Sequence, residues 1–188
     1  MASSTPLDAK KERLRRIIKT RSLMTGGEFT LASGKQSGFF FDMKQTMLDP
    51  EGISLIAELV FDRVRSDPEV KLVGGIELGA VPIIVAVVRE SQLAFQPVSG
   101  FIVRKEKKGH GTDNAVEGIL EPDSPVILFE DVTTTGGSIT KAITAARAKG
   151  CTVKKVITLV DRLEGARDNL AKLGVTLDAI FTRQDFVE

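Results

Sequence analysis

Two neighbouring acids and a run of hydroxyl-bearing residues stand out between Val126 and Ser138, where the chain reads VILFEDVTTTGGS. The apolar block predicts a buried strand, and a helix is predicted to begin at residue 137. At such a turn the first backbone N–H groups of the helix lack intrahelical partners, and the helix dipole is positive. Gly136 and Gly137 allow close approach to the backbone, so the turn indicates a phosphate site. Ordinary helix capping uses the same residue types and stays an alternative.

Glu130 and Asp131 favour the functional interpretation of this segment. A strand with an apolar interior gains nothing from ending in two carboxylates that repel each other. Alternation would direct the two side chains to opposite sides, but at a strand end both can reach a ligand that lies across the sheet edge. Vicinal sugar hydroxyls and hydrated Mg²⁺ both suit carboxylates. Two acids beside a phosphate turn therefore indicate a sugar phosphate as the ligand.

A second candidate segment is basic, and its residues 103–118 read VRKEKKGHGTDNAVEG. Four basic side chains and one acidic side chain give residues 104–108 a net charge of +3, in a chain whose net charge is +1. His110 is the only histidine of the chain and lies between two glycines. A basic loop beside a phosphate site suits a pyrophosphate leaving group, because positive charge that closes over the site stabilises the departing anion. A solvated surface loop with an isolated histidine is the alternative.

The segments that would position these residues alternate between strand and helix patterns from residue 70 onward. Strands are predicted at 70–76, 97–103, 126–131 and 152–162, and helices at 80–91 and 137–150. This alternation implies crossover connections and a mostly parallel sheet. Ligands bind such sheets at the carboxyl ends of the strands, so the loops 77–79, 104–118 and 130–138 are predicted to meet in one site.

The N-terminal part of the chain has a different pattern. Amphipathic helices are predicted at about residues 8–24 and 50–65. Between them, EFTLASGKQSGFFFDMK contains two Ser-Gly breaks and predicts short antiparallel strands. We therefore predict a single α/β domain over residues 1–188, in which a small subdomain built mainly from about residues 1–50 lies beside a core at about 51–188.

Composition limits the class of protein and its location. With 26 basic and 25 acidic residues, the chain has no overall charge that would favour nucleic acid or a membrane surface. Cys151 is the only cysteine, which excludes an intrachain disulfide and fits a reducing compartment. The apolar run Val81 to Val88 is far shorter than the roughly 20 residues that span a bilayer and predicts a buried helix. Asp8 and Glu12 count against a transit peptide. We predict a cytoplasmic protein that binds neither nucleic acid nor membrane.

The segment VILFEDVTTTGGS resembles the phosphoribosyl pyrophosphate motif of the type I phosphoribosyltransferases. The resemblance implies that family's fold, which has a mostly parallel central sheet flanked by helices and a small N-terminal hood. It assigns Glu130 and Asp131 to the ribose hydroxyls and to Mg²⁺, which would be held mostly through substrate and water. It assigns the following residues to phosphoribosyl pyrophosphate, those from Thr133 onward to its 5′-phosphate: Val132, Thr133, Thr134, Thr135, Gly136, Gly137 and Ser138.

The basic segment resembles the catalytic loop of the orotate phosphoribosyltransferases within this family, through the order Arg-Lys-Glu, one residue, Lys, one residue, His-Gly. In that family the loop of one subunit closes over the site of its neighbour, which implies a homodimer. Lys107 falls on a variable position. The resemblance assigns four residues to pyrophosphate: Arg104, Lys105, Lys108 and His110. The residues that it implies in catalysis are Lys105, Lys108, His110 and Asp131.

Recognition of the base is also implied by resemblance. FTLASGKQSGFFFD at residues 29–42 resembles the hood of the family, whose adjacent aromatics, here Phe40 and Phe41, cover the orotate ring. Three consecutive phenylalanines could equally belong to the core. LVDRLEG at residues 159–165 resembles the strand end that carries an orotate-binding arginine, here Arg162, and Thr134 matches a threonine that contacts orotate. An arginine fork can bind a carboxylate through two hydrogen bonds.

The implied reaction transfers the 5-phosphoribosyl group from phosphoribosyl pyrophosphate to N1 of orotate. It gives orotidine 5′-monophosphate and pyrophosphate in de novo pyrimidine biosynthesis. A phosphoribosyltransferase for another base is one alternative, and a regulator that senses phosphoribosyl pyrophosphate and binds nucleic acid is another. The chain departs from the family pattern at Ala32 and Gly79, where many members have lysine, and Lys35 or Lys44 could substitute.

Overall fold

The computed structural model describes residues 5–30, 36–105 and 115–187. Within these ranges the chain forms a six-stranded sheet and a separate two-stranded sheet. The strands are β1 Leu23–Thr30, β2 Gln36–Phe41, β3 Leu72–Ile76, β4 Ser99–Val103, β5 Val116–Gly118, β6 Pro125–Thr133, β7 Thr152–Asp161 and β8 Thr176–Thr182. The helices are α1 Pro6–Ile17, α2 Lys44–Met47, α3 Pro50–Val64, α4 Ala80–Leu93, α5 Gly137–Arg147 and α6 Ala166–Ala171.

The larger sheet has the strand order β5-β4-β3-β6-β7-β8. Its neighbouring strands are parallel except for β4 and β5, which pair antiparallel. Residues of α1, α3 and α4 pack in an apolar cluster on one face, and residues of α5 and α6 pack in a second cluster on the other. The predicted fold class, a mostly parallel central sheet flanked by helices, is therefore confirmed.

Strand β6 is buried on both faces of the sheet, which explains its uninterrupted apolar sequence. Val126 and Leu128 belong to one apolar cluster, and Ile127 and Phe129 belong to the other. The strand does not end at residue 131 as predicted, because it continues to pair with β7 up to Thr133. The two acids of the motif therefore lie in the last part of a paired strand rather than at a frayed end.

The N-terminal helix begins at a capping box. The hydroxyl of Thr5 accepts a hydrogen bond from the backbone N–H of Asp8 at 3.2 Å, and Oδ2 of Asp8 accepts one from the backbone N–H of Thr5 at 2.9 Å. After α1 the chain makes a π-helical turn over Ile18–Ser22, and β1 then begins at Leu23. The helical region therefore ends at Ser22, slightly before the end of the helix predicted at 8–24.

The two-stranded sheet is antiparallel, as predicted from the Ser-Gly breaks, with Leu23 paired to Phe41 at one end and Thr30 to Gln36 at the other. The division of the chain into a subdomain at about 1–50 and a core at about 51–188 stays a prediction.

Helix α4 forms where a buried helix was predicted, but it is not buried on all sides. Val85 is 62% exposed, whereas Ile83 and Val87 pack in the core. The predicted burial therefore holds for one side of α4, because a helix that packs against one face of a sheet leaves its opposite side exposed. In the described ranges, no helix combines the length and apolar character needed to cross a membrane. The predicted cytoplasmic location stays a prediction.

Candidate active site

A cavity of about 400 Å³ lies at the carboxyl edge of the central sheet. The turns after β3, β4 and β6 meet there with β2 and the end of β7, so the three predicted loops contribute to one site. Nine of the predicted site residues line this cavity: Phe40, Phe41, Lys105, Glu130, Asp131, Val132, Thr134, Ser138 and Arg162.

The remaining predicted residues fall into three groups. Thr133, Thr135, Gly136 and Gly137 belong to the same turn but are not among the residues that line the cavity. Arg104 is half-buried, and its Nη1 donates a 3.4 Å hydrogen bond to Glu117 across β4 and β5. Outside the described residues lie Lys108 and His110, together with Lys107, Ala32 and Lys35. The roles of all these residues stay predictions.

The turn between β6 and α5 has the geometry of an anion site. Gly136 has φ +82°, in the left-handed region, and α5 begins at Gly137 without a side-chain cap. The backbone N–H of Ala166 donates to the carbonyl of Thr134 at 3.1 Å, and the side-chain amide of Asn169 donates to the carbonyl of Thr135 at 3.0 Å. These bonds hold the carbonyl side of the turn against α6. The N–H groups of the first turn of α5 remain available for an anion.

The acids of the motif lie in different environments. Glu130 is 6% exposed, and its Oε2 has no hydrogen-bond partner among the described residues. Burial, and after it the negative charge of Asp131, raise the pKa of Glu130 well above its ordinary value. Asp131 is half-buried, and its Oδ1 accepts a hydrogen bond from the backbone N–H of Val132 at 2.9 Å. A buried, unpartnered carboxylate at a cavity wall is a site prepared for a polar ligand.

Glycine at residue 79 is explained by the neighbouring acid. A Cβ atom at Gly79 would overlap the carboxylate of Asp131, so a larger side chain fits only if that carboxylate moves. The peptide bond between Glu77 and Leu78 in the same turn is cis. Oε1 of Glu77 accepts a 2.9 Å hydrogen bond from the backbone N–H of Lys105. This bond connects the turn to the start of the basic segment, a link that sequence patterns did not predict.

Two lysines in the described residues bring positive charge to the cavity. Lys105 lines it and is exposed, and its charge acts to lower the pKa of Glu130 against the larger effect of burial. Lys44 also lines the cavity and forms a 2.6 Å ion pair with Asp42. Of the two lysines proposed from sequence to replace the missing family lysines, Lys44 is therefore placed at the site, and Lys35 lies outside the described residues.

The adjacent phenylalanines are divided between the site and the core. Phe40 is half-buried and stacks on Phe29, with 6.0 Å between ring centroids. Phe41 is 4% exposed and packs edge-on against Phe39 and Phe186. Both line the cavity, but alternation along β2 places Phe41 with the core cluster. Phe41 therefore packs largely in the core, which was the alternative interpretation of the three phenylalanines.

Arg162 is the most enclosed charged residue at the cavity, with 2% of its surface exposed. Its Nε donates to Oε1 of Glu164 at 2.7 Å, and its Nη2 donates to Oγ of Ser37 at 2.9 Å. Its Nη1 donates to the carbonyl of Phe39 at 3.3 Å. Ser37 and Glu164 both lie in segments that resemble the family, at residues 29–42 and 159–165, but the resemblance assigns neither of them a role.

The raised pKa of Glu130 leads to a testable effect on stability. The folded protein binds this proton more tightly than the unfolded chain, so stability falls as the pH rises above the ordinary glutamate value of 4.5. Glutamine does not ionise, so Glu130→Gln avoids the cost of a buried negative charge. We therefore expect this variant to unfold at a higher temperature than the wild type near neutral pH. The difference should vanish below pH 4.5, where both side chains are neutral.

Thermal unfolding of ligand-free protein across this pH range measures the effect. Glu121→Gln, which changes an exposed glutamate, is the matched control and should not show a pH-dependent difference. A stability difference between Glu130→Gln and the wild type that is the same at every pH would contradict the electrostatic explanation.

Comparisons with known proteins agree with this geometry. The sequence profile of the family described as "Phosphoribosyl transferase domain" matches residues 45–185. The orotate phosphoribosyltransferase of Rhodopseudomonas palustris (strain BisB5) is 43% identical over 183 residues, which cover 95% of this chain and 97% of the relative. That of Methanocaldococcus jannaschii is 44% identical over 173 residues, which cover 92% and 94%.

A solved structure shows the same similarity in three dimensions. The orotate phosphoribosyltransferase of Mycobacterium tuberculosis H37Rv, in complex with 5-phospho-alpha-D-ribosyl 1-diphosphate, superposes with a TM-score of 0.76 at 27% identity. The match covers 94% of this chain and 98% of that one. The fold, the family profile and the similar relatives define the class, and the chain belongs to the phosphoribosyltransferase family. Within it, the chain is one of the orotate phosphoribosyltransferases.

Proposed function

We propose that the protein transfers the 5-phosphoribosyl group from phosphoribosyl pyrophosphate to N1 of orotate, giving orotidine 5′-monophosphate and pyrophosphate. One observation carries this proposal: the cavity is lined by Thr134 and Ser138 from the uncapped turn at the start of α5 and by the enclosed guanidinium of Arg162. The turn suits the 5′-phosphate of the donor, and the guanidinium suits the carboxylate of the acceptor. A base without a carboxylate would leave this buried cation without its ligand.

The chemistry follows from the charges that change during transfer. As the bond from C1 of ribose to the pyrophosphate oxygen breaks, negative charge grows on pyrophosphate and positive charge grows on the sugar. Asp131 and Glu130 lie where carboxylates can bind the ribose hydroxyls and face this positive charge. Lys105 and Lys44 line the same cavity and can bind the departing pyrophosphate. N1 of orotate then forms the new bond to C1 and gives up its proton to the departing pyrophosphate or to water, and the enzyme needs no covalent intermediate.

The residues present also fit Mg²⁺. The described residues hold no group of three or more His, Cys, Asp or Glu side chains that could bind a metal alone. Mg²⁺ keeps several waters and is commonly bound by one or two carboxylates and the phosphates of a substrate, which matches the pair Glu130 and Asp131. The unpartnered Oε2 of Glu130 supports this assignment. When bound, Mg²⁺ would neutralise charge on the pyrophosphate.

We further propose that the protein acts as a homodimer in which the basic segment of one subunit closes over the site of the other. The resemblance of the segment is one support. A second is an apolar groove of about 740 Å³ between α3 and α4. Leu48, 76% exposed, and Val85, 62% exposed, lie in it, and Arg89 and Glu90 supply one charge of each sign. A two-fold interface must be self-complementary, and a surface that combines apolar residues with charges of both signs, to which Glu58 also contributes, suits contact with a second copy of the chain.

The groove is also next to the active site. Helix α4, which forms one side of the groove, begins directly after the turn at Glu77 to Gly79 that lines the cavity. A subunit bound in the groove would therefore lie close to the cavity of its partner. This proximity is what a loop shared between subunits requires.

Val85→Glu tests the dimer. Two glutamates at the centre of an apolar two-fold contact would be buried without partners, so we expect the variant to be monomeric and to lose most of its activity. Sedimentation and turnover at matched concentrations measure the two effects. Leu93→Glu, at an exposed apolar residue of α4 outside the groove, is the control and should stay dimeric and active. A monomeric Val85→Glu variant with full activity would show that each loop serves its own subunit.

The proposed reaction is tested by following the ultraviolet absorbance of orotate with purified protein, phosphoribosyl pyrophosphate and Mg²⁺. We expect orotate to be consumed and pyrophosphate to be released in equal amounts, and both to stop when the metal is chelated. Pyrophosphate release that does not depend on orotate would contradict the proposal. The predictions that nucleic acid and membrane are not partners stay predictions.

A further inference from the structure

The guanidinium of Arg162 is contacted on several sides by protein groups to which the proposed reaction assigns no part. Arginine has five N–H donors, one on Nε and two on each terminal nitrogen. In the described part of the chain three of them are engaged: Nε by Glu164, Nη1 by the carbonyl of Phe39 and Nη2 by Ser37. The ring of Phe39 also covers one face, with 4.3 Å between its centroid and the guanidinium carbon.

These contacts leave one N–H on each terminal nitrogen. Two donors on neighbouring nitrogens are what a carboxylate needs for two parallel hydrogen bonds. They remain available only while the Nε side is occupied by another acceptor, because a guanidinium without that partner would rotate to satisfy its buried donors. The group that fixes the orientation is therefore as important as the arginine itself.

Glu164 is suited to that task by position and by charge. It does not line the cavity, and its side chain is 17% exposed. It contacts Arg162 through Oε1, while its Oε2 is buried without a hydrogen-bond partner among the described residues. Glu164 thus takes the Nε donor and leaves Nη2 to Ser37 and to a ligand. Its negative charge compensates a cation that is almost fully buried before any substrate binds.

We propose that Glu164 is a positioning residue for the acceptor: it holds the guanidinium of Arg162 so that the two remaining N–H groups face the carboxylate of orotate. The inference rests on the proposed function. Glu164 touches neither substrate in this arrangement and acts only through Arg162. Its loss should therefore weaken recognition of orotate and leave recognition of phosphoribosyl pyrophosphate unchanged.

Glu164→Ala and Glu164→Gln test the proposal together. Loss of a hydrogen bond to a charged group should raise the KM for orotate by about 10-fold to 100-fold in Glu164→Ala, with the KM for phosphoribosyl pyrophosphate unchanged. Glutamine keeps an oxygen that can accept from Nε, so Glu164→Gln should restore the KM for orotate to the wild-type value or below. A general structural role would change both KM values and would not be rescued by glutamine.

A double-mutant cycle with Arg162→Ala tests whether Glu164 affects the KM for orotate through Arg162. If Glu164 acts through Arg162, Glu164→Ala should have no further effect on the KM for orotate in the Arg162→Ala background. Independent effects that multiply in the double variant would overturn the proposal, as would an unchanged KM for orotate in Glu164→Ala. Failure of the wild-type protein to use orotate at all would instead refute the proposed function.

Discussion

Lys108→Ala is expected to lower turnover by about 10²–10³-fold, the usual cost of removing one contact that stabilises charge in the transition state. Lys108 is assigned to pyrophosphate by the resemblance of the basic segment, and its positive charge would reach the leaving group only when the segment closes over the site. The KM values should change less than turnover, because the contact forms late in the reaction. Steady-state kinetics with both substrates measures the effect.

Lys107→Ala is the matched control for this prediction. It removes the same charge from the neighbouring residue, which the resemblance places at a variable position. We expect Lys107→Ala to be close to the wild type, and both variants to unfold at the wild-type temperature. Unchanged turnover in Lys108→Ala would refute its role, and equal losses in both variants would show that only the overall charge of the segment matters.

Asp131→Asn should lower turnover by a similar factor of about 10²–10³ while leaving the fold intact. The amide oxygen can keep the hydrogen bond that Oδ1 accepts from the backbone N–H of Val132. Only the charge is lost, and with it the proposed interaction of Asp131 with the positive sugar and with Mg²⁺ bound to the substrate. The dependence of turnover on Mg²⁺ concentration should shift to higher concentrations.

Asp62→Asn is the control for this change, because Asp62 lies on α3 away from the cavity and pairs with Arg65 on the surface. It should keep wild-type turnover. If Asp131→Asn retains full turnover at low Mg²⁺ concentration, the carboxylate is not part of the catalytic site.

The two inactive variants can also be combined to test the shared loop. Mixed subunits of Lys108→Ala and Asp131→Asn form hybrid dimers in which one site has both wild-type residues, provided that the loop reaches across the interface. At equal amounts, about one quarter of the wild-type activity should return. Activity that stays at the level of the separate variants would contradict a loop shared between subunits.

Much of the fold could be predicted because its elements have strong local patterns. The apolar run of β6 reflects burial on both faces of the sheet. The helical spacing of apolar residues in α3 and α5 reflects burial on one side of each helix. Both patterns are visible in the sequence itself. Strands β5 and β8 and helices α2 and α6 were missed; β5, α2 and α6 have three, four and six residues, which are too few to show a period. The extent of β6 was also wrong, because its last residues are polar and pair with β7.

The site was predictable where chemistry demands unusual residues. Two acids after an apolar strand and a turn rich in glycine identified Glu130, Asp131 and Ser138 at the cavity. The partners of Arg162 were not predictable from pattern alone. Ser37 reaches the guanidinium only because the fold brings β2 against the end of β7, and the bond to Glu164, two residues away, depends on how the chain turns after β7. Likewise, the burial that raises the pKa of Glu130 depends on tertiary packing.

The most direct test of the central claim is to compare orotate and uracil as acceptors with the same purified protein, phosphoribosyl pyrophosphate and Mg²⁺. The two bases differ only by the carboxylate that Arg162 is proposed to bind. We predict efficient turnover of orotate and little or none of uracil, with adenine and hypoxanthine inactive. Equal use of uracil, or a preference for a purine, would keep the phosphoribosyltransferase fold but contradict the proposed recognition of orotate.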